Sequence, residues 1–131
     1  MLDPRLLAFV RSSIPSIWAL ELLLLLRRAA PQHLSRDEMV HHLRATPNLI
    51  DRLITQFLAG GLVSHDESGY RFECATPELA SLCDDLAMAA DERPIALRDA
   101  IIAAPNEKLR DLADAFRFRD SDKGPKGGQG K

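Results

Sequence analysis

Within TPNLIDRLITQFLAGGLV (46–63), Thr46, Asn48, Asp51, Arg52, Thr55 and Gln56 stand between apolar residues. Threonine, asparagine, arginine and glutamine can hydrogen-bond to base edges in a DNA major groove, provided that they share one exposed face. Four histidines, His33, His41, His42 and His65, are candidate metal ligands. His41 and His42 are neighbours on an expected helix and point about 100° apart, so one site cannot easily take both. Ordinary surface histidines and no metal centre are therefore expected. Cys74 and Cys83 lie nine residues apart on either side of a turn, which is no metal-ligand spacing. They read as two small core residues of a reducing cytosol. No glycine-rich loop precedes a lysine-bearing helix, because the glycines of GPKGGQG lie near the C-terminal end. Nothing orders serine, histidine and aspartate as a nucleophile with its base. Neither an enzyme nor a bound cofactor is expected.

The elements that would position the 46–56 side chains follow from local signals. Asp3 and Pro4 open a short helix over 4–12, and Ser13 or Ser16 starts a second that ends near Ala30, before Pro31. SRDE (35–38) fits a capping box and opens a third, whose buried face is Met39, Val40 and Leu43. Thr46 caps a fourth with Pro47 in its first position. Ile50, Leu53, Ile54 and Phe57 recur on one face, and Gly60–Gly61 end it through a left-handed cap. That leaves Thr46, Asn48, Leu49, Asp51, Arg52, Thr55 and Gln56 facing outward. LVSH (62–65) and YRFEC (70–74) flank the turn DESG (66–69), which reads as a β-hairpin. Thr76 and Pro77 repeat the cap-then-proline signal, and Leu79, Leu82, Cys83, Leu86 and Ala90 form an apolar stripe. Pro94 and Pro105 divide the rest into two helical pieces, with Ile95, Leu97, Ile101 and Ile102 on one and Leu109, Leu112, Ala113 and Phe116 on the other. From Ser121 onward no apolar residue occurs, so a disordered tail is expected.

Length and charge set the outer bounds. With 131 residues, the chain suits one domain with helical extensions. A net charge of −2 is not that of a dedicated nucleic-acid binder, which is usually basic. Asp3 and Arg5 come too early for a signal peptide, and the apolar run from Ile14 is broken by Pro15, Ser16 and Glu21. That run stops at Arg27 and Arg28, short of the roughly 20 residues needed to cross a bilayer. A cytoplasmic protein with no membrane contact is expected. The LELLLLLRR helix should instead be packed on several sides.

Helix, helix, turn, helix, hairpin is the order of a winged helix-turn-helix domain. LSRDEMVHHLRATPNLIDRLITQFLAGGLVSHDESGYRF resembles the stretch from the second helix through the wing in MarR- and ArsR-like transcription regulators. The most specific piece is the spacing from Ile50, Leu53 and Phe57 to GLV (61–63). The fold expected is mainly α with a small β-hairpin wing and flanking helices. Its parts would be an N-terminal extension (1–13), the winged domain (14–75), C-terminal helices (76–120) and the tail (121–131). The resemblance implies a dimeric regulator, with 47–58 as the recognition helix and dimer contacts from the flanking helices. Leu6, Phe9, Leu79, Leu82, Leu86, Ile101 and Phe116 are the expected homodimer anchors.

On double-stranded DNA, Thr46, Asn48, Arg52, Thr55 and Gln56 would meet bases, and Arg36, Arg44 and Arg71 would hold phosphates. Asp51 in the reading face and Asp66 and Glu67 in the hairpin turn oppose that reading. The alternative is an adaptor that binds another protein through helix 47–58 or the wing, since fold alone does not fix function.

Overall fold

The computed structural model describes residues 2–103. Side-chain oxygens begin five of its helices. Asp3 accepts from the Arg5 N–H at 2.7 Å, Ser16 from Ala19 at 3.1 Å, Thr46 from Leu49 at 3.2 Å and Thr76 from Leu79 at 3.1 Å. Ser35 and Glu38 close the expected capping box in both directions. Each such cap stabilises its helix by about 1 kcal/mol. The helices that follow are α1 (Pro4–Ser13), α2 (Ile17–Ala29), α3 (Arg36–Leu43), α4 (Pro47–Ala59), α5 (Pro77–Glu92) and, after a proline start, α6 (Pro94–Ala103). Between α4 and α5 lies one antiparallel hairpin, β1 (Val63–Asp66) and β2 (Gly69–Phe72). The described chain is thus mainly helical with a small hairpin. The expected helix over 105–116, with Phe116, and the expected tail lie outside the described residues.

Helix α2 is the centre of the packing. Ala19, Leu20, Leu22, Leu23 and Leu26 are buried, Ile17, Leu24, Leu25, Arg27 and Ala29 are half-buried, and only Trp18, Glu21 and Arg28 are exposed, on one side. The apolar circumference is covered by α3, β2 and α6. Helix α1 packs on α5 and α6, while α4 packs on α3 and β1. No charged or polar residue is buried among the described residues. No single described helix is long and apolar enough to cross a membrane, and α1 and α2 meet at a bend of 103°.

The hairpin turn is two residues shorter than expected, one residue on each side. Val63 pairs with Phe72, Ser64 with Arg71, His65 with Tyr70 and Asp66 with Gly69, so only Glu67 and Ser68 form the turn. Leu62, Glu73 and Cys74 fall outside the strands. Asp66 determines the difference, because its carboxylate accepts the Ser68 N–H at 2.8 Å and closes a tighter turn. Leu34 adds a third edge to β2, exchanging backbone bonds of 2.7 and 2.9 Å with Tyr70. Left-handed Gly61 (φ 75°) ends α4 as anticipated, whereas Gly60 keeps a right-handed conformation.

Several expected dimer anchors are consumed by this packing. Leu6, Phe9, Leu86 and Ile101 are buried inside the chain, so they offer no surface to a second copy. Leu79 and Leu82 are half-buried against the same core. The cause is mutual coverage: α1, α5 and α6 shield one another's apolar stripes.

Gly69 is the tightest backbone position. Its φ is 124°, and a Cβ there would lie 2.7 Å from the Leu34 carbonyl oxygen. Gly69→Ala should lower stability by about 2 kcal/mol or more in chemical denaturation. Gly60→Ala, at φ −82°, should change it by less than about 1 kcal/mol. Equal effects at the two positions would count against the close Leu34 approach.

Candidate functional site

Helices α3 and α4 are joined by only Arg44, Ala45 and Thr46. Arg44 makes the reversal by adopting the left-handed conformation (φ 54°, ψ 37°), and the Ala45 N–H returns to the Val40 carbonyl at 3.3 Å. Ile50, Leu53, Ile54 and Phe57 are buried, which turns the opposite side of α4 to solvent. Leu49 is a correction. It is half-buried against the core and does not belong to the outer face.

The outer face consists of two rows. Asn48, Arg52 and Gln56 follow one another at four-residue steps and are all exposed. Gln56 at the end of this row borders a groove with Ser12, Ser13 and Pro15 at the α1–α2 elbow. Asp51, Thr55 and Leu58 form the second row, which faces α3 and the hairpin. With Arg36, Met39 and Tyr70 these three line a small cleft. Leu58 is 38% exposed there.

Arg36 and Asp51 dominate the second row. Nε lies 2.6 Å from Oδ1 and an Nη 2.9 Å from Oδ2, a forked pair that spans the turn between the two helices. The guanidinium holds the Asp51 carboxyl below the usual carboxylate range, and Asp51 in turn raises Arg36. Thr55 donates its hydroxyl to the Asp51 carbonyl at 2.8 Å, so that oxygen can only accept from a partner. Thr46 is occupied as the cap of α4 but keeps its own proton to donate.

The hairpin repeats this internal pairing. Arg71 reaches Glu73 at 3.0 Å. Glu73 is held below its ordinary range first by the Ser64 hydroxyl and then by Arg71. Asp66 is lowered by the Ser68 N–H and by His33, whose Nε2 lies 3.0 Å from Oδ2. His65 stacks on Tyr70 with ring centres 4.2 Å apart. Of the four candidate arginines, Arg36 and Arg71 are engaged by carboxylates. Arg44 and Arg52 pair with none among the described residues.

The remaining candidates are dispersed. His41 and His42 meet edge to face at 6.3 Å between ring centres, beside Arg44 on the surface. Among the described residues no three histidine, cysteine or acidic side chains are placed to hold a metal ion. Cys83 is buried as expected, whereas Cys74 is only half-buried, and their sulfurs touch. Sequence reasoning missed the cleft and the Arg36–Asp51 pair. Leu58, an apolar residue off the buried stripe of α4, was the only local signal for either. Set against known proteins, the chain matches no family model, no curated protein sequence and no solved structure.

Because Asp51 is lowered in the folded state, its ionised form contributes stability above about pH 4, and that contribution is lost as pH falls through the lowered value. The urea midpoint of Asp51→Asn should therefore lie below that of wild type at pH 7, and the two should converge below about pH 4. Equal midpoints at pH 7, or a gap that does not shrink at all as pH falls below about 4, would mean that the pair is not formed in solution.

Proposed function

We propose that α2, α3, α4 and the hairpin form a winged helix-turn-helix domain that binds double-stranded DNA, with α4 in the major groove. The observation that carries this reading is the uncovered row Asn48, Arg52 and Gln56 on a helix held rigidly by a three-residue turn. The third β-edge at Leu34 supports the winged topology. Arg52, at the middle of the row and without a carboxylate partner, reads bases together with Asn48 and Gln56. Arg44 holds a phosphate. Arg36 and Arg71 do so only by leaving Asp51 and Glu73.

Such a surface binds with shallow salt dependence. One free phosphate-holding arginine, Arg44, gives a slope of log affinity against log salt of about −0.9 per chain, and Arg36 and Arg71 added to it give about −2.7. Arg52→Ala should cost about 1–3 kcal/mol of discrimination between sequences. Arg44→Gly, which preserves the left-handed turn, should weaken all sequences alike. If folded protein retains no genomic fragment at low salt, the reading fails.

The proposed regulator acts as a homodimer, as closed two-fold pairs are the commonest assemblies. Met88, Ile95 and Ile102 on α5 and α6, 57%, 75% and 52% exposed, are the most exposed large apolar side chains among the described residues and the surface proposed for it. Met88→Glu combined with Ile95→Glu should give monomers in sedimentation and leave the fold intact. A wild-type monomer at micromolar concentration would dismiss the dimer.

The cleft beside Leu58 favours a second reading, an adaptor without DNA. An apolar floor rimmed by Arg36 and Asp51 suits an apolar side chain of a partner protein. On that reading Leu58→Glu abolishes capture of one stoichiometric partner. On the first reading it leaves DNA affinity nearly unchanged.

A further inference from the structure

Cys74 and Cys83 are the chain's two cysteines, and their Sγ atoms lie 3.9 Å apart. They join separate elements. Cys74 sits just beyond β2, in a stretch anchored to the exit of α4: the Glu73 N–H donates to the Leu62 carbonyl at 3.0 Å and the Ala75 N–H to Gly61 at 2.7 Å. Cys83 lies nearly two turns into α5 and is buried, while Cys74 is half-buried. From this contact the two sulfurs have to close to a bonding distance of about 2.05 Å. We propose that Cys74 and Cys83 form a reversible intramolecular disulfide that ties the hairpin exit to α5. This modification site does not depend on the DNA-binding reading.

The oxidant is a low-molecular-weight disulfide. Cys74, the more accessible thiol, gives its proton to solvent, and its thiolate attacks one oxidant sulfur. The oxidant S–S bond breaks and one thiol leaves. Cys83 then loses its proton and attacks the Cys74 sulfur, expelling the second thiol. Two protein thiols are oxidised and one disulfide is reduced to two thiols.

The surroundings set the tempo. Burial pushes both thiols above their ordinary range; the Asp84 carboxylate adds to this, and the Arg27 guanidinium opposes it. Arg27 and Asp84 are themselves paired at 2.6 Å beside the two sulfurs. Thiolates are therefore scarce at neutral pH, and the cross-link forms slowly, with a rate that rises with pH.

The test incubates the full chain with glutathione disulfide at pH 7 and at pH 8.5, followed by acid quench and mass spectrometry. The expected product is lighter by two hydrogens, has no thiol titratable after unfolding and runs as a single chain on a non-reducing gel. Its rate of formation should rise roughly tenfold per pH unit. Dithiothreitol should restore both thiols. Oxidised wild type should unfold at higher denaturant than reduced wild type, while Cys74→Ala, changed at the half-exposed position, should show no such shift. Glutathione that stays on Cys74, chains linked to each other, or two thiols surviving in folded protein would each overturn the proposal.

Discussion

Leu22, Leu23 and Leu26 sit on α2 beside Leu20 and Ala19, and no single neighbour can hide them all. A helix apolar around nearly its whole circumference must be enclosed. Most of the architecture follows from that enclosure. Helix α3 and strand β2 cover one flank, and α6 covers another. Helix α1 closes over α5 and α6. The flanking helices are thereby drawn into the chain's own core, and the leucines of α1 and α5 that resemble an oligomer seam are used up. The outside of that enclosure includes, among the described residues, one face of α4, the hairpin tip, and the exposed Met88, Ile95 and Ile102.

Charge is arranged at short range on this surface. Arg5 with Glu78, Arg27 with Asp84, Arg36 with Asp51 and Arg71 with Glu73 form pairs, three of them between different elements. Exposed pairs of this kind add little to stability. Their consequence lies in availability. An arginine already forked onto a carboxylate is a weaker phosphate ligand, since its release leaves that carboxylate facing the incoming anion. The electrostatic character of the α4 face is thus governed by Arg44 and Arg52, two cations that pair with no carboxylate among the described residues.

What could be read from the sequence was what local chemistry decides. Ser35 with Glu38, Thr46 with Pro47 and Thr76 with Pro77 mark helix starts within four residues, and each start stands where those signals put it. The hairpin was recognisable, but its register was not. Register depends on Asp66 folding back onto Ser68 and on Leu34, far away in sequence, docking against Tyr70. The contact of Arg36 with Asp51 spans fifteen residues and arises only from the angle at which α3 meets α4. Leu49 was placed outward by periodicity, yet it flanks the buried stripe closely enough to be half covered by the core. The two cysteines looked like independent core residues because nothing in a nine-residue spacing tells that α5 folds back beside the β2 exit.

The two rows of α4 make different demands on a partner. Along Asn48, Arg52 and Gln56, donors and acceptors stand free on a rigid helix, and nothing must be displaced to use them. Along Asp51, Thr55 and Leu58, a phosphate has to compete with Asp51 for Arg36 while entering the field of that same carboxylate. A partner protein faces no such conflict there, because an apolar group can settle beside Leu58 and Tyr70 and leave the ion pair intact. On the proposed DNA reading, then, the duplex must approach from the Arg52 side, with Arg44 as its nearest backbone anchor. The Leu58 side would remain open to a second macromolecule while α4 occupies the groove.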